Sequence, residues 1–190
     1  DTPDFRLIRR SLEKPVYKEK LRLRSYGRAD REHPVFMELK KKYRSVVYKR
    51  RLTLPHGRAL DCLTGDCLWP ETQIGREIGY AMDFYPDLEP RVFLSYERDS
   101  WYAPESGLRI TFDDAIRFRT ADLTLDSDPW GSALLKPDQV LMELKAPGAI
   151  PLWMVRLLTE MGLYKTSFSK YGTAYQILLE QEAKGGKRYA

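Results

Sequence analysis

Three segments in the first third of the chain alternate between charged and apolar residues with a period of two. They span residues 17–26, 35–42 and 47–54. Successive side chains of a β-strand point to opposite faces of a sheet, so this period predicts three strands. Because only short polar turns separate the segments, we expect an antiparallel meander.

The remaining residues predict further strands and about three helices. Strands are indicated at residues 91–98, 108–113, 115–120 and 140–146. A helix begins near Pro70, where proline suits the first turn, and ends before Pro86. From Pro151 the apolar spacing changes to 3.6 residues, which indicates one helix there and another over residues 175–182. We therefore predict a single α+β domain over residues 1–190, with antiparallel strands.

The polar faces of the predicted strands carry basic residues interrupted by single acids. These charged residues are Lys20, Arg22, Arg24, Glu38, Lys40, Lys49, Arg98, Arg109, Arg117, Arg119, Glu143 and Lys145. One interpretation is an ordinary solvated face. The other is a phosphate-binding surface, because arginines two residues apart on a strand stand roughly 7 Å apart and repel unless an anion lies between them.

The charge of the chain is unevenly distributed. Residues 1–51 contain 17 Lys+Arg and 7 Asp+Glu, a net charge of +10, whereas residues 52–190 contain 15 and 20, a net charge of −5. A short basic tail covers residues 184–188. A basic segment of this size indicates a polyanionic partner. With 43% hydrophobic residues the chain is too apolar for intrinsic disorder, and no apolar run is long enough for a membrane span.

Two isolated acids stand in similar positions on their strands. Glu38 and Glu143 lie two residues before Lys40 and Lys145, so each acid shares a face with a lysine. Such a carboxylate is either an ion-pair spacer or the ligand of a divalent metal that bridges to phosphate oxygens. The positions alone leave both interpretations open.

Other chemistry-bearing residues give weaker signals. We interpret Cys62 and Cys67 as two reduced thiols in a loop of a cytoplasmic protein, with a local disulfide or half of a metal site as alternatives. Asp113 and Asp114 are interpreted as strand-end turn acids, with a cation site as the alternative. The tryptophans do not cluster with the basic strands, and no nucleic-acid reading motif is present, so we predict no nucleic-acid partner.

Several segments, taken together and in order, resemble one known family. They are DTPDF (1–5), KLRLRSYG (20–27), FMELKKK (36–42), KRR (49–51), GLRITFD (107–113), LMELKAPGAIPLW (141–153) and TSFSKYGTAY (166–175). The chain is similar to the VTC domain, the polyphosphate polymerase domain of vacuolar transporter chaperone proteins and their bacterial relatives. The resemblance covers essentially the whole chain.

The resemblance implies the triphosphate tunnel fold, an antiparallel β-barrel with a basic tunnel. It also implies an enzyme that transfers the γ-phosphoryl group of ATP to a growing inorganic polyphosphate chain with Mn²⁺ or Mg²⁺. Family members carry an additional segment upstream of DTPDF that contributes a first strand, so the barrel of this chain is expected to lack it. A triphosphatase on the same fold and a non-catalytic polyphosphate-binding module are the alternatives.

The resemblance also assigns roles to individual residues. The catalytic phosphate-binding positions are Arg22, Arg24, Lys40, Lys49, Arg98, Arg109 and Lys170. The metal ligand is Glu143. Because Lys20, Lys145 and Glu38 share the same strand faces, Lys20 and Lys145 are expected to bind substrate and Glu38 to assist with the metal.

Overall fold

The computed structural model describes residues 1–185 and has a mixed α+β architecture. The end of the basic tail, residues 186–188, lies outside the described residues. Two compact units are present. Unit 1 consists of residues 1–93 and 120–128, and unit 2 consists of residues 94–119 and the described residues from 129 onward.

Unit 1 contains a three-stranded antiparallel sheet and three helices. In chain order its elements are α1 (Arg6–Leu12), β1 (Tyr17–Arg24), β2 (Pro34–Tyr43), β3 (Val46–Pro55), α2 (His56–Thr64) and α3 (Gln73–Phe84). The strands follow one another as the meander that the alternation predicts, in the order β1-β2-β3.

The core of unit 1 lies on one face of this sheet. Met37 and Leu39 of β2 are buried and pack with Ile78 and Ala81 of α3. Helix α3 begins at its N-cap Thr72, whose hydroxyl accepts the Gly75 N–H at 3.0 Å. Since neighbouring residues of a strand face opposite sides, burying Met37 and Leu39 turns Glu38, the charged residue between them, away from α3.

Unit 2 is organised around one long strand. Its elements are β4 (Phe93–Ala103), which belongs to unit 2 from Leu94 onward, β5 (Leu108–Arg119), β6 (Ser132–Ala133), β7 (Leu141–Lys145), α4 (Leu152–Glu160) and α5 (Lys170–Gly185). Strand β5 pairs with both β6 and β7, in antiparallel register. Leu108, Ile116 and Phe118 of β5 are buried.

The structure corrects several sequence predictions. Residues 1–185 contain five helices rather than about three, because the predicted loop after Pro55 folds as α2 and because α1 was not anticipated. The segments 108–113 and 115–120 form one strand, β5, interrupted only by the left-handed Ala115 at φ 43°. Asp113 and Asp114 therefore lie inside a strand and not in a strand-end turn.

The predicted barrel is not confirmed, and the prediction for the two cysteines differs from the structure. Within the described residues the strands form two sheets and no closed barrel is found. Cys62 and Cys67 form a disulfide at the end of α2 rather than two reduced thiols. Cys62 lies in the last turn of α2 and Cys67 follows the helix. The two sulfurs meet because the chain reverses at Gly65, which has the left-handed φ of 87° that glycine tolerates.

None of the helices within residues 1–185 has the length and apolar character needed to cross a lipid bilayer.

Candidate functional site

One face of the unit 1 sheet carries charged residues in rows that run across all three strands. Directly paired residues of antiparallel strands share a face. Lys20 of β1 is paired with Lys40 of β2, and Lys40 is paired with Lys49 of β3. We call these three residues the lysine row. The alternation had placed all three on the charged face of their strands.

The lysine row concentrates positive charge on adjacent strands. Paired side chains on neighbouring strands start about 5 Å apart, so the ammonium groups of Lys20 and Lys40 repel one another, whereas Lys49 is also held by Glu38. Burial, together with the charges of Arg22, Lys40 and Lys18, lowers the pKa of Lys20 to about 8. A bound polyanion would relieve this repulsion.

The next row is centred on Glu38. Arg22, Glu38 and Arg51 are paired across the three strands, and Glu38 is only 3% exposed. Its carboxylate accepts hydrogen bonds from Arg22 and from Arg51, at 2.6 Å for Arg51 Nη2, and lies 3.2 Å from Lys49 Nζ. Burial favours the neutral acid, but these three cations outweigh it and hold the pKa of Glu38 at about 2.

Glu38 thus receives three cationic side chains in the described structure. This arrangement is that of an ion-pair spacer, which orients two guanidinium groups and one ammonium group on the sheet surface. Arg24, at the end of β1, extends the same face and lies over the Tyr26 ring at 4.5 Å from its centroid.

Unit 2 contains a second group of predicted site residues, centred on a buried acid. Asp113 is 1% exposed. Arg98 of β4 donates two hydrogen bonds to its carboxylate, at 2.5 Å and 2.6 Å, and Lys170 at the start of α5 donates a third. Arg98 and Lys170 also lie against the Tyr96 ring, at 5.0 Å and 4.5 Å. We call Asp113, Arg98 and Lys170 the Asp113 cluster.

The charges of the Asp113 cluster are strongly coupled. Burial favours the neutral form of Asp113, but the hydrogen bonds from Arg98 and Lys170 outweigh it and lower the pKa of this carboxyl. The hydrogen bond with Asp113 raises the pKa of Arg98, burial opposes this effect, and the charge of Glu143 adds to the rise. Glu143 therefore acts electrostatically on the cluster.

The pairing of β5 with β7 brings further predicted residues onto the face that bears Asp113. Arg109 is paired with Lys145, and Thr111 with Glu143. Since Arg109 and Thr111 precede Asp113 by four and two residues, all of them share one face of β5. Arg109 lies 5.8 Å from the Tyr102 ring centroid, and Lys145 Nζ lies 3.0 Å from a Glu143 oxygen.

Arg117 and Arg119 are not part of this group. They follow the irregular Ala115 and donate hydrogen bonds to the carbonyl oxygens of Gly131 and Trp130.

The residues near Glu143 suit a divalent ion that shares its coordination with a substrate. Among residues 1–185 no group of three or more His, Cys, Asp or Glu side chains could hold a metal ion by itself. Mg²⁺ and similar ions commonly bind through one carboxylate, with phosphate oxygens and water completing their shell. Glu143 is a half-exposed carboxylate, and the buried Thr111 hydroxyl paired with it has no hydrogen-bond partner among the described residues. This donor set fits such an ion.

Three residues of these groups were not among the predicted site residues. Thr111 and Asp113 lie two and four residues after the predicted Arg109, so they share its face of β5. Arg51 lies two residues after the predicted Lys49 and shares its face of β3. The period-two alternation could therefore have found them. The alternation could not predict which side chains contact Asp113, because the contact between Asp113 and Lys170 joins residues 57 positions apart.

Comparison with known proteins gives one match. A family model described as VTC domain matches residues 1–179. No curated protein and no solved structure matches the chain.

Proposed function

The chain belongs to the VTC domain family, and from this premise we propose that it is an ATP-dependent polyphosphate polymerase. The family is associated with polyphosphate, and its domain with polyphosphate polymerase activity. The enzyme would transfer the γ-phosphoryl group of ATP to the end of a polyphosphate chain. A barrel closed around the substrate, which the resemblance implies, is part of this proposal.

The observation that supports the proposal most strongly is the lysine row. Three lysines directly paired across adjacent strands are unfavourable in a solvated sheet, where mixed signs are the stable arrangement. A polyphosphate chain carries one or more negative charges on each phosphate, so it matches a surface on which cations repeat from strand to strand. The arginines beside the row add forked donors suited to phosphoryl oxygens.

In the proposed reaction, an oxygen of the terminal phosphate of the chain attacks the γ-phosphorus of ATP. The bond between that phosphorus and the β–γ bridging oxygen breaks, and ADP leaves with the electron pair. Phosphoryl transfer requires mainly positioning and charge stabilisation from the protein. Since the attacking oxygen is already anionic, no strong general base is needed, which suits a chain with only two histidines.

Each group of side chains has a role in this scheme. Arg22, Arg24, Lys20, Lys40 and Lys49 bind phosphates on the unit 1 sheet. Arg98, Arg109, Lys145 and Lys170 bind phosphates on unit 2, where Asp113 orients two of them. A Mn²⁺ or Mg²⁺ ion held by Glu143 would neutralise negative charge on phosphate oxygens. Glu38 is an assisting metal ligand in the sequence prediction, although its carboxylate is engaged by three cations.

Variants of two proposed phosphate-binding residues test this function. The protein is incubated with ATP and Mn²⁺, and the products are separated on a gel. We expect Arg109→Ala and Lys40→Ala to reduce chain synthesis by about 10²-fold or more, the usual effect of removing one preorganised charge donor. The matched controls Arg156→Ala and Lys165→Ala replace exposed residues of the same types and should keep wild-type activity.

The outcomes separate the proposal from its alternatives. A wild-type rate for Arg109→Ala would contradict the assignment of the site. Orthophosphate without chains would identify a triphosphatase. Salt-sensitive polyphosphate binding without ATP turnover would identify a non-catalytic binding module.

A cytoplasmic location remains a prediction from the sequence. The Cys62–Cys67 disulfide is the feature that argues against it, because disulfides are more usual in oxidising compartments.

A further inference from the structure

A second surface of unit 1 combines exposed apolar residues with several basic residues. We call it the hairpin tip, and it consists of residues 41–48 around the β2–β3 turn with Val16 and Tyr17 at the start of β1. Its exposed apolar side chains are Val16, Tyr17, Tyr43, Val46, Val47 and Tyr48, which are between 39% and 61% exposed.

These apolar residues cluster around the end of the hairpin. Tyr43 is paired with both Tyr17 and Val46 across the three strands, and Arg44 N–H donates to the Val16 carbonyl at 2.7 Å. Val46 and Val47 are consecutive, so they point to opposite faces of β3, yet each is about half exposed. Both faces of the hairpin are therefore open to solvent at its tip.

The charges around this patch are strongly one-sided. No acidic residue occurs between Glu38 and Asp61, whereas the tip itself carries Lys41, Lys42 and Arg44. Lys18 is paired with Lys42 on β1, and its pKa is lowered by burial and by the nearby Lys42 and Lys40. Two acids lie near the tip: Glu19 is paired with Lys41 and accepts hydrogen bonds from Tyr17 and Tyr85, and the charge of Lys41 also acts on Glu77.

We propose that the hairpin tip docks onto the surface of an anionic lipid bilayer. A bilayer interface receives apolar and aromatic side chains in its outer layer and attracts lysine and arginine through its head groups. The tip offers both kinds of side chain within a few residues. A second copy of the chain is a poorer occupant, because a self-complementary contact would oppose the same cations.

A soluble polyanion also fits the tip less well than a bilayer does. Polyphosphate would bind the cations but would leave Val46, Val47 and Tyr43 in water. The proposed phosphate-binding lysine row lies further along the strands, so docking of the tip does not depend on the polymerase function.

Vesicle co-sedimentation tests the proposal. The wild-type chain is spun with vesicles of phosphatidylcholine alone and with vesicles of phosphatidylcholine and phosphatidylglycerol in equal amounts. We expect binding to the second kind only, weakened by added salt. Lys42→Gln with Arg44→Gln should weaken it about 25-fold, since each surface cation contributes about fivefold.

The decisive variant keeps the charges and removes apolar surface. Val46→Thr with Val47→Thr preserves β-branching, so the strand should fold, and the far-ultraviolet circular dichroism should be unchanged. We expect vesicle binding to fall about 15-fold, since each of the two buried methyl groups contributes roughly fourfold. The matched control Val140→Thr changes a similarly exposed valine of unit 2 and should bind like wild type.

Three results would overturn the proposal. Equal binding to both kinds of vesicle would remove the role of charge. Wild-type binding by the double valine variant would show that the cations act only as a polyanion site. Absence of vesicle binding in the wild-type chain would leave the tip as a surface for a protein partner.

Discussion

Replacing Asp113 by asparagine should destabilise unit 2 by about 3 kcal/mol. The substitution keeps the size of the side chain but removes the negative charge that Arg98 and Lys170 share. Breaking a buried ion pair from one side typically costs 3–5 kcal/mol, because the remaining charge is left without a partner. Since Arg98 and Lys170 keep 29% and 18% of their side-chain exposure, water can solvate them partly, and we expect the lower end of that range.

Urea unfolding at neutral pH measures this change. Three of the four tryptophans, Trp101, Trp130 and Trp153, lie in unit 2, so tryptophan fluorescence reports mainly on that unit. The midpoint should fall while the slope stays constant. Asp114→Asn is the matched control. It changes the adjacent acid, which is exposed on the opposite face of β5, and should alter the free energy of unfolding by less than about 0.5 kcal/mol.

The pH dependence gives a second check on Asp113. Its pKa is lowered in the folded state, so its stabilisation is fully present above the ordinary aspartate value and is lost as the pH falls through the folded-state value. The difference between wild type and Asp113→Asn should therefore shrink in acid. A difference below about 1 kcal/mol at neutral pH, or one matched by Asp114→Asn, would refute the reasoning.

Three other changes probe separate features of the molecule. Because the folded-state pKa of Lys20 is about 8, the unfolded chain binds more protons than the folded chain above that pH. The free energy of unfolding should therefore rise from about pH 8 upwards in wild type and not in Lys20→Met, and equal pH profiles would contradict this. Gly131→Ala should cost about 1–3 kcal/mol in urea unfolding, since a Cβ there meets the Phe118 carbonyl oxygen at 2.3 Å and φ is 140°; an unchanged midpoint would count against it. Iodoacetamide should label Cys62 and Cys67 only after reduction, as read by mass spectrometry, whereas labelling without reductant would restore the reduced-thiol interpretation.

The alternation predicted the unit 1 sheet and its charged face closely. Alternate residues of a strand share one face of the sheet, so the alternation is enough to assign the faces. Because Met37 and Leu39 are buried, the other face of β2 must turn outward. The pairing of Lys20, Lys40 and Lys49 follows from this alternation and from the short turns between the strands. The prediction was therefore most accurate where local pattern and tertiary structure impose the same choice.

The errors arose where single side-chain contacts decide the structure. The start of α1 depends on the Asp1 carboxylate, which accepts the backbone N–H groups of Leu7 and Ile8. The Asp113 cluster depends on α5 reaching β5 from another part of the chain. Neither contact could be predicted from the residue types, because an acid before a helix and an acid within a strand are both common in solvated positions.

The stoichiometry of ATP turnover tests the proposed function most directly. The protein is given ATP labelled in its γ-phosphate together with Mn²⁺, and ADP, orthophosphate and chain-bound phosphate are measured over time. A polymerase predicts one chain-bound labelled phosphate for each ADP, with little orthophosphate. One orthophosphate for each ADP, or no ADP at all, would contradict the account.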